Sequence, residues 1–436
     1  MTKIGPLFDS DNNRPPAVQN SLDEALRICG VLHAAGHVAV FAGGCVRDAL
    51  LGRLPKDFDV ATDATPDRVR KIFGHRNTLA FGASFGVIGV LPPKAIRRKS
   101  DSVHPTEVAT FRSDGDYSDG RRPDRVHFGD ARNDALRRDF TINGLFFDPL
   151  EDAIKDYVGG QEDLAMKCLR TIGLPEQRFD EDKLRMLRAV RFATSLGFEI
   201  ESDTRAELIR RADAIEIVSG ERIGAEMRRI LSSVFAPRGL QLLIETGLAQ
   251  KVLPQLCNAD LSRLTELLSH RVSLDFETSL ALVLLGLGGG EESVWATTLG
   301  DLAERWKLSG EEVRRVRTAS ELSKRLIHAE HLAWSQLQPL MVNRDIAVAL
   351  QVAKSLVGAD GSIGDRGVRR CEEVLQWSAE KLDPAPLVTG DRLIQEGFRP
   401  GPIFRDWLTK VRQKQLDGEL TTEAAALEYI KRQASP

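Results

Sequence analysis

Two regimes of hydrophobic patterning divide the chain. In the first, short apolar runs alternate with capped helices. Ser21-Leu22-Asp23-Glu24 reads as a capping box, and behind it Leu22, Ala25, Leu26, Cys29 and Leu32 recur on one helical face until Gly36 ends the helix. The apolar run 38–42 predicts a buried strand that leads into Gly43-Gly44 and a second short helix ending near Gly52. Asp57-Phe58-Asp59-Val60-Ala61 alternates as a half-buried strand does. Thr65-Pro66 places an N-cap before a proline at the first helical position, predicting a helix to Phe73. Further strands are predicted over 86–91, 107–111 and 145–147. The second regime begins near Asp163 and is helical: 183–196, 203–213 and 221–234 have helical spacing, followed by 238–250, 258–270, 275–287, 309–328 and 343–356. The stretch 382–400, with its prolines and glycines, reads as a joint. Pro400-Gly401-Pro402 then precedes a helix, and 418–422 forms a turn before the last one. The fold class expected is a mixed α/β head followed by an all-helical remainder.

Composition narrows the class. With 42% hydrophobic and 28% charged residues in 436, the chain can bury sizeable cores and is neither disordered nor a disulfide framework. Its longest weakly polar run, 279–290, falls well short of the ~20 residues a membrane helix needs. The N-terminal stretch carries acids and no apolar segment, so it does not read as a secretory signal. Cys29, Cys45, Cys168, Cys257 and Cys371 are scattered and odd in number, which predicts reduced thiols in a cytoplasm. Net charge is −3, so bulk electrostatics do not mark a nucleic-acid binder. Between Phe111 and Phe140, however, there are seven arginines, seven aspartates and no lysine. Arginine's planar fork suits bidentate pairing with phosphate or carboxylate. A well-paired polar surface is the plain alternative.

The candidate chemistry starts at Asp57 and Asp59. Residues two apart on a strand face the same side, so both carboxylates would meet at one spot. Such an oxygen-rich site suits Mg²⁺ sharing its shell with substrate phosphates. Gly43 and Gly44 allow close backbone approach to a phosphate, and the helix after them offers free N–H groups. A lone D-x-D is more often a solvated strand face; one behind a Gly-Gly helix start is a stronger signal. Walker A and G-x-G-x-x-G patterns are missing from the sequence.

Phe41-Ala-Gly-Gly-Cys-Val-Arg-Asp-Ala-Leu-Leu-Gly-Arg followed by Asp57-Phe-Asp-Val-Ala-Thr resembles the signature of the bacterial tRNA nucleotidyltransferase and poly(A) polymerase family, within the polymerase-β-like nucleotidyltransferases. The resemblance continues at Thr110-Phe-Arg-Ser-Asp-Gly-Asp-Tyr-Ser-Asp-Gly-Arg-Arg-Pro, Arg137-Arg-Asp-Phe-Thr-Ile-Asn-Gly-Leu and Asp156-Tyr-Val-Gly-Gly-Gln-Glu-Asp-Leu. It ends with Glu181-Asp-Lys-Leu-Arg-Met-Leu-Arg-Ala-Val-Arg-Phe and Glu221-Arg-Ile-Gly-Ala-Glu-Met. These blocks lie in family order over about half the chain.

The resemblance implies that Asp57 and Asp59 are metal-binding carboxylates. Glu107, one strand later, is placed to lend a third, with a solvated strand-edge glutamate as the alternative. Gly43, Gly44 and Arg47 belong to the nucleotide-binding signature. Arg112 and the loop from Asp114 to Arg125 correspond to a mobile element beside the active site. Arg137, Arg138 and Asp139 match the motif that handles triphosphate and ribose, and Asn143 belongs to the same block. An aspartate accepting from a ribose 2′-OH would select ribonucleotides.

Asp182 and Arg185 are three apart, so on one helix they would share a face. A carboxylate accepts from an exocyclic amine and an arginine donates to a ring acceptor, the pair of groups that cytosine and adenine both present. Uracil and guanine present the opposite sense, at a cost of ~1–3 kcal/mol for each mismatched buried group. The alternative is a Glu181–Arg185 salt bridge worth ~0.3–0.5 kcal/mol. Arg188 and Arg191 continue that face towards phosphates or acids. Arg314, Arg315, Arg317, Lys324 and Arg325 offer a basic stretch to RNA or to solvent.

The expectation is an N-terminal extension (1–19), a catalytic head (20–160), a base-reading neck (161–250), an RNA-holding body (251–382) and a helical tail (383–436). The activity it implies is template-independent addition of CMP and AMP to the tRNA 3′ end. Its substrates are CTP and ATP, its cofactor is Mg²⁺, and neither a membrane nor an obligate protein partner is implied. Poly(A) polymerase, a CC-only or A-only enzyme, and a non-catalytic RNA-binding protein are the alternatives. The stretch 77–88 lacks the basic insertions of poly(A) polymerases, which favours tRNA. Many relatives carry a phosphohydrolase His-Asp pair; 270–290 has none, so no second metal site or phosphohydrolase activity is expected.

Overall fold

The computed structural model describes residues 14–82, 86–93, 104–115, 126–287, 289–361 and 365–434. These fall into two compact units, one within Met1–Ser219 and Leu242–Lys251, the other within Gly220–Gln241 and Val252–Pro436. Among the described residues no helix is long and apolar enough to cross a membrane.

The first unit holds strands β1 (Ala39–Ala42), β2 (Val60–Thr62), β3 (Thr78–Gly82), β4 (Val87–Val90), β5 (Thr106–Thr110), β6 (Arg112–Asp114), β7 (Val126–Phe128), β8 (Leu145–Asp148) and β9 (Ala153–Asp156). Seven of them form one sheet in the order β3-β4-β5-β2-β1-β8-β9, while β6 and β7 pair separately. Only β2 and β5 run parallel within the large sheet. Strand β1 is apolar throughout because it is central and buried on both faces. Val40 and Ala42 pack with Ala61, Phe111, Ala135 and Phe146 on one face. Phe41, on the other, meets Phe58 at 5.8 Å and Phe147 at 6.2 Å between ring centroids. Each such ring contributes about 1.5–3 kcal/mol by leaving water.

Three local expectations are corrected. The first helix spans Pro16–Ala34, so Ser21 lies inside it and its hydroxyl donates to the Ala17 carbonyl at 3.1 Å instead of capping. Proline at the first helical position starts that helix. Pro66–Phe73 is the predicted helix, but Thr65 caps it without a side-chain hydrogen bond. Regular strand geometry in β2 begins at Val60, after the two aspartates. The alternation across 57–60 still holds, with Phe58 and Val60 buried and Asp57 and Asp59 exposed.

Helices Pro175–Glu181, Leu184–Leu196 and Ser202–Arg211 complete the first unit's helical part. Leu184–Leu196 is nearly engulfed, with Met186, Leu187, Ala189, Val190 and Ala193 fully buried, and Gly197 ends it in a left-handed conformation.

In the second unit the predicted helices appear as Gly220–Leu231, Leu261–Ser269, Phe276–Leu287, Gly310–Ile327 and Ile346–Asp360, joined by the unpredicted Glu292–Arg305, Trp334–Met341 and Asp365–Leu375. The glycine of Glu221-Arg-Ile-Gly has a packing role, because a Cβ on Gly224 would collide with the Trp306 carbonyl. Close by, Arg228 donates to Glu312 at 2.6 and 2.9 Å, and Glu312 completes a capping box with Ser309. The stretch 382–400 is more than a joint. It contains the helix Gly390–Gln395, and Val388 and Leu393 are buried against Phe404, Val411, Ala426, Leu427 and Ile430.

Candidate active site

The carboxylates come together at the ends of the two parallel strands. Val60 on β2 lies beside Val108 on β5, so Asp59 and Glu107, one residue earlier on each, are neighbours. Asp57, Asp59 and Glu107 all reach solvent, yet Asp59 is densely flanked by protein. That burial, then the charges of Glu107 and Asp57, push the Asp59 carboxyl up to about 6, with the Arg138 guanidinium pulling the other way. Like charges held this close favour a cation. Among the described residues no three His, Cys, Asp or Glu side chains close on one point. An ion here would therefore complete its shell with water and substrate oxygens, as Mg²⁺ commonly does. Beside Asp59, burial and the Asp59 charge push the Cys45 thiol up to about 12, which removes it as a nucleophile.

Next to the carboxylates the chain turns at Gly43, whose φ of 69° and ψ of −116° suit glycine alone. A Cβ there would stand 2.7 Å from Arg138 Nη1. Arg138 also donates to the Asn143 carbonyl at 3.0 Å and to Asp134 Oδ2 at 2.9 and 3.1 Å. Arg137 donates to the other oxygen of Asp134 at 2.8 Å. Burial would raise the Asp134 carboxyl, but Arg138 and Arg137 hold it below its ordinary range. Asn143 ties three segments together: its amide oxygen accepts from Arg47 Nη1 at 2.7 Å and its amide nitrogen donates to Asp139 at 2.9 Å.

Asp139 itself is buried. It accepts from Arg188 Nε and the Phe140 amide, each at 2.9 Å, as well as from Asn143. Burial opposes its ionisation, yet the Arg188 charge and these hydrogen bonds keep its carboxyl far below the usual carboxylate range. In this structure it joins Leu184–Leu196 to the segment after Arg138 and presents no open face to a ribose.

The expectation that Asp182 and Arg185 share one helical face is overturned. Asp182 ends Pro175–Glu181 with extended backbone, φ −149° and ψ 108°, and the next helix starts at Leu184. The break is local chemistry: Asp182 Oδ1 accepts from the Leu184 amide at 3.0 Å, an Asx-type turn that competes with helix. Arg185 is buried, pairs with Glu181, and donates to the Arg178 carbonyl at 3.1 Å and the Arg137 carbonyl at 3.3 Å. The Glu181–Arg185 pair weighed as an alternative is thus present, within a larger anchor. Arg191 lies 3.6 Å from the Phe192 ring centroid. The Arg112 amide donates to Asp134 at 3.4 Å.

Farther along, Arg314 pairs with Asp345 and Arg315 with Glu277, so part of the basic stretch serves packing inside the second unit. Most of the expected mobile loop, 116–125, and residues 83–85 of the stretch 77–88 lie outside the described residues. Sequence reasoning missed Asp134, although its spacing of three and four residues to Arg137 and Arg138 was a usable signal. It also missed Phe192, for which spacing offered only the flanking arginines.

The family model for the poly(A) polymerase head domain matches residues 39–170, and one described as a probable RNA- and SrmB-binding site of polymerase A matches 197–260. The CCA-adding enzyme of Levilactobacillus brevis is 33% identical over 405 residues, covering 91% of this chain and 94% of the relative. That of Bacillus pumilus is 36% identical over 420 residues, covering 89% and 97%. The crystal structure of a Bacillus stearothermophilus CCA-adding enzyme in complex with CTP superposes with a TM-score of 0.74 at 28% identity, covering 96% of this chain and 99% of that one.

Proposed function

The chain belongs to the CCA-adding enzyme family of nucleotidyltransferases, and from that membership we propose that it adds CMP and AMP to the 3′ end of tRNA without a template, releasing pyrophosphate. The observation that carries the proposal is the acidic edge of Asp57, Asp59 and Glu107 set against a turn at Gly43 that leaves room for Arg138. Asp57 and Asp59 are the residues to hold Mg²⁺; when bound, the ion supplies charge stabilisation for the hydroxyl and phosphate oxygens between which transfer occurs.

The chain's own residues do the remaining work. The tRNA 3′ hydroxyl forms its bond to the α-phosphate as the bond to the β-phosphate breaks. Arg47, Arg138 and Arg188 carry the positive charge that holds the triphosphate in line for that exchange. Arg112, Arg137 and Arg191 extend the same basic lining. Asp139 and Asn143 set the positions of Arg188 and Arg47 by direct hydrogen bonds. For reading the base edge the candidate is Asp182, at the break between two helices, with Arg185 anchored behind it by Glu181 and the Arg178 and Arg137 carbonyls. The expected working place is the cytoplasm, where tRNA, CTP and ATP are found; five unpaired thiols fit such a compartment.

The test is a sizing gel with Mg²⁺ and tRNA acceptors ending at the discriminator base, at C and at CC, each offered CTP, ATP or both, beside a generic RNA. Growth by three nucleotides on the shortest acceptor, stopping there, supports CCA addition. Growth by two alone, or by one on the CC end alone, would make it a partial enzyme. Long ATP tails on any RNA would make it a poly(A) polymerase, the reading favoured by the name of the matched head domain. No growth at all would restore the RNA-binding alternative.

A further inference from the structure

Three arginines converge on one buried aromatic ring. The guanidinium carbons of Arg47, Arg188 and Arg191 lie 5.3, 5.4 and 3.6 Å from the centroid of Phe192. The ring is itself fixed: it is only 5% exposed, and Phe140 meets it edge-on at 5.7 Å and 75°. Arg47 arrives from Gly44–Leu50, whereas Arg188 and Arg191 flank Phe192 on Leu184–Leu196, so two separate segments bring positive charge to one ring.

A carboxylate and a ring hold an arginine in different ways. A carboxylate neutralises the guanidinium and occupies its N–H groups. A ring face attracts the cation through its quadrupole and leaves the N–H donors at the guanidinium edge for an oxygen ligand. Asp48 and Asp139 each take up one of the three arginines, through contacts at 2.7 and 2.9 Å. The ring serves all three. Such a hub suits a polyanion with several phosphate groups, because it gathers three guanidinium groups from two segments at one place.

We propose that Phe192 is a positioning residue of the nucleotide site, holding Arg47, Arg188 and Arg191 in the array that receives the triphosphate. The inference rests on the reading that these arginines face the nucleotide. Its signature is specific. Phe192→Leu keeps an apolar side chain but removes the ring face, so KM for CTP and for ATP should rise together by about tenfold. The kcat should stay within about twofold and the preference for C and A over U and G should be unchanged, because the base-reading side chains are not touched. Phe192→Tyr, which retains the ring, should return both KM values to near the parent's.

Steady-state kinetics on the full chain with a tRNA acceptor, beside thermal melting, reads all of this. Should Phe192→Leu fail to fold, Phe192→Met carries the same comparison. An unchanged KM in a variant that melts like the parent would overturn the proposal. So would a joint fall in kcat, melting temperature and affinity that Phe192→Tyr does not rescue, since that marks simple packing. Arg191→Met separates the two levels: if it leaves nucleotide KM unchanged, the reading of the arginines fails. If it raises KM while Phe192→Leu does not, the role of the ring alone fails.

Discussion

Replacing Gly43 with alanine probes how closely the turn before Gly44–Leu50 approaches Arg138. Two costs can be worked out. The backbone at φ 69° and ψ −116° lies in a region that residues with a Cβ avoid, a strain of order 1–3 kcal/mol. The added Cβ would stand 2.7 Å from Arg138 Nη1, so the end of that side chain must shift and its 3.0 Å bond to the Asn143 carbonyl is stretched or lost. A hydrogen bond from a charged donor is worth about 1.5–3 kcal/mol. The same shift moves the Arg138 charge relative to Asp59, whose carboxyl it helps to keep ionised. If about 3 kcal/mol of this appears in the transition state, kcat/KM for CMP addition falls on the order of 100-fold. Single-turnover incorporation of CMP onto a tRNA lacking its CCA end measures the loss. A cycle with Arg138→Ala isolates its origin: in that background Gly43→Ala should cost only the backbone strain, so the two changes should fall short of additivity by about 1 kcal/mol or more. Additivity within about 0.5 kcal/mol would refute the contact as the cause. Full activity of Gly43→Ala would refute the whole argument.

Other consequences are open to simpler tests. Asp59→Ala should abolish transfer while CTP binding, followed by equilibrium dialysis, largely survives; robust transfer would remove Asp59 from the chemistry. Asp182→Ala should admit UTP and GTP, and full discrimination in that variant would sink the account of base selection. Asp139→Asn takes the charge from a buried partner of Arg188 and should cost about 3 kcal/mol in urea unfolding; an unchanged midpoint would contradict it. For Glu312, the hydrogen bond from Arg228, aided by Ser309, outweighs burial and lowers the carboxyl from 4.5 to about 2. A depressed carboxyl stabilises the fold above 4.5 and loses that contribution as pH falls towards 2. The gap in melting temperature between the parent and Glu312→Gln should therefore shrink over that window, and a constant gap would count against the pairing.

The two aspartates were legible because their alternation with Phe58 and Val60 is a local property that survives folding, even though the regular strand starts at Val60. Helices with strong apolar stripes, such as Leu184–Leu196, were legible for the same reason. Strands β3, β6, β7 and β9 were not, since short half-exposed strands are defined by their neighbours more than by their own residues. At Asp182 the three-residue spacing to Arg185 misled, because Asp182 lies just before the helix and its carboxylate captures the Leu184 amide. Asp139 illustrates a different limit. Its motif placed it near nucleotide chemistry, but only coordinates reveal that Arg188, from 49 positions away, has claimed its carboxylate.

The buried Cys45 thiol has a practical corollary. Burial and the neighbouring Asp59 charge keep it protonated well above the ordinary thiol range, so alkylating reagents and mild oxidants should pass Cys45 by. Cys29 and Cys371 are buried as well, Cys168 is half-buried, and Cys257 is exposed. A maleimide dye should therefore settle on Cys257, giving a fluorescent handle on the second unit.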